Sequence, residues 1–137
     1  MDPIDAAPLP NATPPSPPTV GSSGLPTNIA AFLAYLATSV TGVIFLVLEK
    51  ENREVRFHAW QAIFFGIAAL LIGMLIYILT IIFSGILSIL GGLVAFLGVL
   101  IKIGLFVLWI ICMIQAYKGE HFKLPIIGDL AEAQVNR

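Results

Sequence analysis

Charged residues are scarce in this chain of 137 residues, in which seven Lys and Arg stand against eight Asp and Glu. These residues make up 11% of the sequence, whereas a soluble domain carries about 25%, so an ordinary water-soluble globule is excluded. A net charge of −1 without a basic block also excludes nucleic acid as a partner. Apolar residues make up 58% of the chain and the mean hydropathy is +0.98, which indicates an integral membrane protein in contact with a lipid bilayer.

Cysteine is almost absent as well. The single cysteine, Cys112, lies within an apolar run, where we expect a small buried residue. One cysteine allows no disulfide framework, and the sequence has no CxxC motif and no cluster with metal-ligand spacing. The sequence therefore predicts no catalytic, cofactor-binding or metal site, and we expect the protein not to be an enzyme.

Charges are missing from two long stretches. No charged residue lies between Asp5 and Glu49, and Lys102 is the only one between Arg56 and Lys118. Because about 20 apolar residues cross a bilayer, the sequence predicts an all-α, multi-pass protein with three transmembrane helices in a domain of residues 28–137. These helices are expected over about 29–48, 60–83 and 88–116, followed by a short cytoplasmic C-terminal tail.

Proline is concentrated at one end, since eight of the nine prolines precede Thr27. Proline lacks a backbone donor and fixes its own φ angle, so this segment is not expected to form a helix or a sheet. Residues 1–27 are therefore predicted to be a mobile, Pro-rich tail outside the membrane domain.

The cations favour one orientation. With three spans, the first loop and the C-terminal tail share a face of the membrane, and six cations fall in these two segments. Because Lys and Arg mark the cytoplasmic side, we expect the N-terminus outside and the C-terminus in the cytoplasm, in a prokaryotic inner or internal membrane. The six cations are Lys50, Arg53, Arg56, Lys118, Lys123 and Arg137.

Small residues recur at helical spacing on the predicted spans. Such residues let helix backbones approach closely in a membrane, where lipid tails give no hydrophobic drive for association. We expect them to form the internal three-helix interface; alternatively, one face pairs with another copy, giving a homo-oligomer, or with another membrane protein. The helix-packing residues are Ala62, Gly66, Ala69, Gly73, Gly91, Ala95 and Gly98.

Lys102 is the one ionisable residue well within a predicted span. A charge at the bilayer centre costs about 2.5–3.5 kcal/mol on insertion scales. The side chain could extend toward the outer face, contact Tyr77 or Thr80, or lie in a substrate or ion path.

Two polar motifs flank the spans. The first runs from Leu48 to Ala62 and the second from Lys118 to Ala131. Together they resemble a family of small three-helix prokaryotic membrane proteins of largely unknown function. This family includes magnetosome proteins of the MamF type and is distantly related to the chloroplast Tic protein-import component. The interface residues in the motifs are Arg53, Arg56, His58, Trp60, Gln61, Pro125, Gly128 and Asp129.

The resemblance covers about residues 24–132. The magnetosome relatives imply self-assembly within a membrane, and the Tic relation implies a channel. We expect a small membrane protein that acts through helix association, as a structural or accessory subunit of an assembly or self-oligomer. The alternative is a Tic-like component of a transport or protein-translocation channel, and a membrane enzyme using His58 is a third hypothesis.

Overall fold

The computed structural model describes residues 20–137, so residues 1–19 of the predicted Pro-rich tail lie outside the described part. Val20–Pro26 forms a tight turn, in which Val20 and Pro26 pair in a single antiparallel bridge. The helices that follow are α1 Thr27–Leu36, α2 Ser39–Leu48, α3 Arg53–Ile86, α4 Ser88–Tyr117 and α5 Ile127–Val135.

Helices α3 and α4 dominate the fold. They contain 34 and 30 residues, and both are long and apolar enough to cross a membrane. Asn52 caps α3, because its side-chain oxygen accepts a hydrogen bond from the Val55 N–H at 3.3 Å. Leu87, in an extended conformation, separates the two helices, which pack against each other as an antiparallel pair.

The predicted first span over 29–48 is not one helix. It is broken at Ala37 and Thr38 into α1 and α2, of ten residues each. The Thr41 hydroxyl donates to the Ala34 carbonyl at 2.9 Å and accepts from the Ala37 N–H at 3.0 Å, so a side chain replaces part of the helical hydrogen bonding. A helix of ten residues rises only about 15 Å, half the thickness of a hydrocarbon core of about 30 Å. The described residues therefore contain two helices of spanning length instead of the predicted three.

Helix α1 runs along α4 and begins beside the C-terminal end of α4. The Asn28 side-chain amide donates to the Tyr117 carbonyl at 3.1 Å, and the Trp109 indole N–H donates to the Tyr35 carbonyl at 2.8 Å. The start of α1 and the end of α4 therefore lie together. Three spans, with the N-terminus outside and the C-terminus inside, would place these two ends at opposite faces, and the structure does not agree with that prediction.

Helix α2 returns toward the same end along α3. The Ser39 hydroxyl at its start donates to the Ile63 carbonyl at 3.2 Å. Glu49, which follows α2, contacts the turn that precedes α1. Helices α1 and α2 thus form a hairpin with both ends beside the start of α3.

The core lies at this end of the molecule. Beyond it, no residue from Ile67 to Leu90 is buried. One buried cluster joins α1, α3, α4 and the segment before α5, and a second joins α1, α2 and α3. The first comprises Ala31, Tyr35, Ala62, Phe65, Cys112, Ala116 and Leu124, and the second Ala30, Ala34, Phe45, Val55 and Ala59.

Candidate functional site

Gln61 connects three segments at the polar end of the helices. It is fully buried on α3. Its side-chain N–H groups donate to the Tyr35 hydroxyl at 2.8 Å and to the Phe122 carbonyl at 3.0 Å. Its side-chain oxygen accepts from the Leu124 N–H at 3.2 Å. Gln61 therefore attaches both α1 and the segment after α4 to α3.

His58 extends this polar group toward the surface. It is 1% exposed, and its Nδ1 lies 3.3 Å from the Tyr35 hydroxyl. Its Nε2 lies 3.4 Å from Glu54 Oε1 but makes no hydrogen bond within the described residues. The same Glu54 oxygen contacts His121 Nδ1 at 2.8 Å, and the His121 ring stacks on Phe57 with centroids 4.0 Å apart. A chain of polar contacts thus runs from the exposed His121 to the buried Tyr35.

This arrangement is suited to holding segments together. It contains imidazole and carboxylate groups, yet no group of three His, Cys, Asp or Glu between residues 20 and 137 is placed to hold a metal ion. Cys112 is free and buried in the neighbouring apolar cluster. The groups available join α1, α3 and the C-terminal segment by hydrogen bonds.

A second polar group closes the base of the α1–α2 hairpin. Glu49 is fully buried, and its carboxylate accepts hydrogen bonds from the Ser22 N–H at 2.9 Å and the Ser23 N–H at 3.0 Å. Burial raises the pKa of Glu49, but hydrogen bonds from Ser23 and Ser22 outweigh this effect and hold the pKa below its usual value. The carboxylate is therefore charged at neutral pH.

The C-terminal motif folds back on itself. Lys123 Nζ contacts Asp129 at 2.6 Å and Glu132 at 2.5 Å, and hydrogen bonds to these two residues raise the pKa of Lys123. Gly128 is buried, and a Cβ there would lie 2.3 Å from the Lys123 Cγ. Pro125 is exposed, and its carbonyl accepts from the backbone N–H that begins α5. Glycine at position 128 lets α5 pack closely against Lys123.

The remaining interface residues lie around the start of α3. Arg53 donates to the Asn136 side chain just beyond α5, and Arg56 donates to a carbonyl of the loop between α2 and α3 at 3.2 Å. The Trp60 ring stacks on Phe64 with centroids 5.5 Å apart. Its indole N–H has no hydrogen-bond partner among residues 20–137.

Small residues on α3 contact different neighbours along the helix. Ala62 is buried against α1 and α4, and a Cβ at Gly66 would lie 2.1 Å from the Ser39 hydroxyl. Farther along, Ala69 is half-buried, and a Cβ at Gly73 would have no neighbour within 4 Å. The predicted small-residue face therefore meets the hairpin at Gly66 but has no close contact at Gly73 with any part of residues 20–137.

On α4 the small residues face α3. A Cβ at Gly91 would lie 2.8 Å from the Ser84 Cα, and one at Gly98 would lie 2.4 Å from the Ile76 side chain. Ala95, between them, is half-buried. These residues therefore lie within the α3–α4 pair.

Lys102 is exposed near the middle of α4. No hydrogen bond or ion pair joins it to the described residues. No hydrogen bond joins it to Tyr77 or Thr80 within the described part of the chain, and the Thr80 hydroxyl donates to the Ile76 carbonyl at 2.8 Å.

Several residues that carry these contacts lie outside the motifs of the sequence. Tyr35 and Trp109 lie in apolar runs, although each bears a polar group that needs a partner when buried. Glu49 begins a charged stretch in the sequence. The sequence feature that distinguishes it is its position directly after a long uncharged, apolar run.

Comparison with known proteins identifies the family. Residues 24–131 match the magnetosome magnetite crystal formation protein family. A protein of Methanocaldococcus jannaschii, named as a UPF0132 membrane protein, is 45% identical over 111 residues, which cover 81% of this chain and 90% of the relative. The chain belongs to this family.

Two further members of the family are similar to it. A UPF0132 membrane protein of Archaeoglobus fulgidus is 38% identical over 114 residues, covering 79% of this chain and 94% of the relative. A second protein of Methanocaldococcus jannaschii is 39% identical over 109 residues, covering 80% of this chain and 70% of the relative. No solved structure matches the chain.

Family membership confirms the resemblance to MamF-type proteins and identifies a membrane protein of an uncharacterised family. The Tic relation stays a prediction.

Proposed function

We propose that this member of the magnetosome magnetite crystal formation family acts through helix association, as a structural or accessory subunit of a membrane assembly or self-oligomer. One observation carries the proposal: in an apolar stretch of 18 residues in each of α3 and α4, only 17% of the residues are buried by the described part of the chain. The polar end, in contrast, is covered by the hairpin and by the C-terminal segment.

The exposed faces define where association would occur. Large apolar side chains on α3 and α4 point away from the contact between these helices. Van der Waals packing against another helix is one attraction available to such faces in lipid, and the small residues Gly91 and Gly98 are already used inside the pair. The most exposed large side chains are Leu70 and Tyr77 on α3, and Ile89 and Phe96 on α4.

The location follows from the cations. Lys50 and Arg53 lie at the start of α3, and Lys118 lies at the end of α4. Cations accumulate on the cytoplasmic side of membrane proteins. We therefore propose that α3 and α4 cross a prokaryotic inner or internal membrane, with this end in the cytoplasm.

The translocation alternative has less support. A path for ions or polypeptide needs polar lining, and the α3–α4 contact beyond the core is made by groups such as Gly98 and Ile76. Lys102 is the one charge within this part of α4 and makes no hydrogen bond or ion pair with the described residues.

The oligomeric state tests the proposal. Native mass spectrometry of protein extracted in a mild detergent, with co-purifying proteins identified, should show an oligomer or a stoichiometric membrane partner. Replacing Phe96 by Ala should weaken that association, whereas Ile126→Ala, at a residue that is also exposed but lies outside the apolar helices, should not. A monomer without a partner for the wild-type chain, in extracts from native membranes, would contradict the proposal.

A further inference from the structure

We infer that α1 and α2 form a re-entrant hairpin, which enters the membrane from the cytoplasmic face, turns about half-way across and returns to the same face. Val20 and the C-terminal helix α5 then share the cytoplasmic face, and Leu87 lies on the opposite one. The inference rests on the proposed function only in taking α3 and α4 as the two spans.

The depth of the turn follows from its contacts with α3. The Ser39 hydroxyl bonds the Ile63 carbonyl at 3.2 Å, and Gly66 lies directly beside Ser39. At about 1.5 Å per residue, Gly66 lies roughly 20 Å along α3 from Arg53. Since the first turn of α3 carries charged residues and lies near the headgroups, the hairpin reaches the middle of a hydrocarbon core of about 30 Å.

A broken helix inside a membrane must satisfy its backbone groups within the protein. At this turn, protein atoms satisfy several of these groups. The Tyr35 carbonyl accepts from the Thr38 N–H at 3.0 Å and from the Trp109 indole at 2.8 Å, while the Thr41 hydroxyl pairs with the carbonyl of Ala34 and the N–H of Ala37. The interruption is therefore built into the packing of α1 against α4.

The two ends of the hairpin are fastened to each other and to both spans. Glu49, after α2, binds the backbone N–H groups of Ser22 and Ser23, before α1. Asn28 donates to the Tyr117 carbonyl at the end of α4. An N-terminal segment on the opposite face could make neither contact, because the span of α3 and α4 would separate the partners.

The distribution of cations agrees with this topology as well as with three spans. No Lys or Arg precedes Lys50. The non-cytoplasmic face therefore carries no cation in either topology, whichever face the N-terminal segment lies on. The rule that places cations inside therefore orients α3 and α4 but does not locate the N-terminal segment. The contacts of Glu49 and Asn28 do so.

Single cysteines labelled with a membrane-impermeant maleimide can test the inference in vesicles of known orientation. The full-length variants are Val20→Cys and Leu87→Cys, both at residues more than half exposed, and Ala133→Cys on the exposed side of α5. Wild-type protein, whose Cys112 is buried, is the control for background labelling. We expect Val20→Cys and Ala133→Cys to react only from the cytoplasmic face, and Leu87→Cys only from the other.

The outcomes separate the inference from the proposed function. Labelling of Val20→Cys from the same face as Leu87→Cys would overturn the re-entrant hairpin and leave the membrane assembly intact. Labelling of Leu87→Cys and Ala133→Cys from one face would mean that α4 does not cross the membrane, which overturns both. Protease removal of terminal tags on otherwise wild-type protein gives a second measurement: both tags should be cut from the cytoplasmic face, and cutting of the N-terminal tag from the opposite face would again overturn the hairpin.

Discussion

Replacing Gln61 by Leu should loosen the polar end of the molecule more than any other single polar substitution on α3. The variant keeps the bulk of the side chain but removes hydrogen bonds to Tyr35, Phe122 and Leu124. An unpaired buried backbone group costs about 1–3 kcal/mol. Leu124 is 2% exposed, so its unpaired backbone N–H would bear the full cost. Phe122 is half-buried, so its carbonyl can form a hydrogen bond with water in part. We therefore expect a loss of about 2–4 kcal/mol in the free energy of unfolding.

The chain contains its own reporter for this measurement. Cys112 is 1% exposed and lies in the cluster that Tyr35 and Leu124 share, so a thiol-reactive fluorophore should react with it only when this cluster opens. In detergent, Gln61→Leu should lower the midpoint of thermal thiol exposure by roughly 10 °C. Gln115→Leu is the matched control, because the Gln115 side-chain oxygen accepts no hydrogen bond from the described residues. Equal midpoints for the two variants would refute the role assigned to Gln61.

Three further predictions concern Gly91, Glu49 and Lys102. Gly91→Ala should lower the free energy of unfolding by about 1–3 kcal/mol, because its Cβ would meet the backbone of α3. Gly92→Ala, with open space at its Cβ, should raise the free energy of unfolding by up to about 1 kcal/mol. Thiol exposure measures both variants, and equal effects would contradict the close contact of Gly91 with α3. Because the folded-state pKa of Glu49 is lowered, its stabilising effect should be complete above the usual Glu pKa and should fade as the pH falls through the folded-state value. The protection of the two serine amides that bind it, measured by hydrogen exchange relative to the intrinsic rate at each pH, should then fall at acidic pH. In Glu49→Gln the same amides should be weakly protected at every pH. Lys102→Leu should insert at least as well as wild type and unfold at the same or a higher temperature; a folded variant that abolishes a measurable flux in vesicles would instead favour the transport alternative.

The two long helices could be predicted from composition because their apolar length alone exceeds a membrane span. Helix α4 is the simplest case: no charge except Lys102 interrupts it, and Tyr117 stands next to the first cation beyond it. The break at Thr38 could not be predicted in the same way. Its residues have a composition compatible with a continuous helix, and the break depends on hydrogen bonds to Trp109 and on contacts with α3 that no local pattern contains.

The candidate site was predictable only in part for a similar reason. His58 and Gln61 stood out as polar residues beside an apolar run, and the structure buries both. Their partners, Tyr35 and the backbone at Phe122 and Leu124, lie far away in sequence. A backbone group that receives a side-chain hydrogen bond leaves no mark in the sequence, so these pairs required the three-dimensional arrangement.

The contacts that hold the hairpin also set an order for biogenesis. Asn28 and Tyr117 are separated by 89 residues, and Tyr35 and Trp109 by 74. A ribosome adding about 5–20 residues per second completes α4 roughly 5–20 s after α1 has been synthesised. During this time α1 and α2 have no α4 to pack against, and with ten residues each they are too short to cross the bilayer alone. If the hairpin is re-entrant as proposed above, it leaves the ribosome before α3 and α4 but reaches its final place only after α4 has been synthesised.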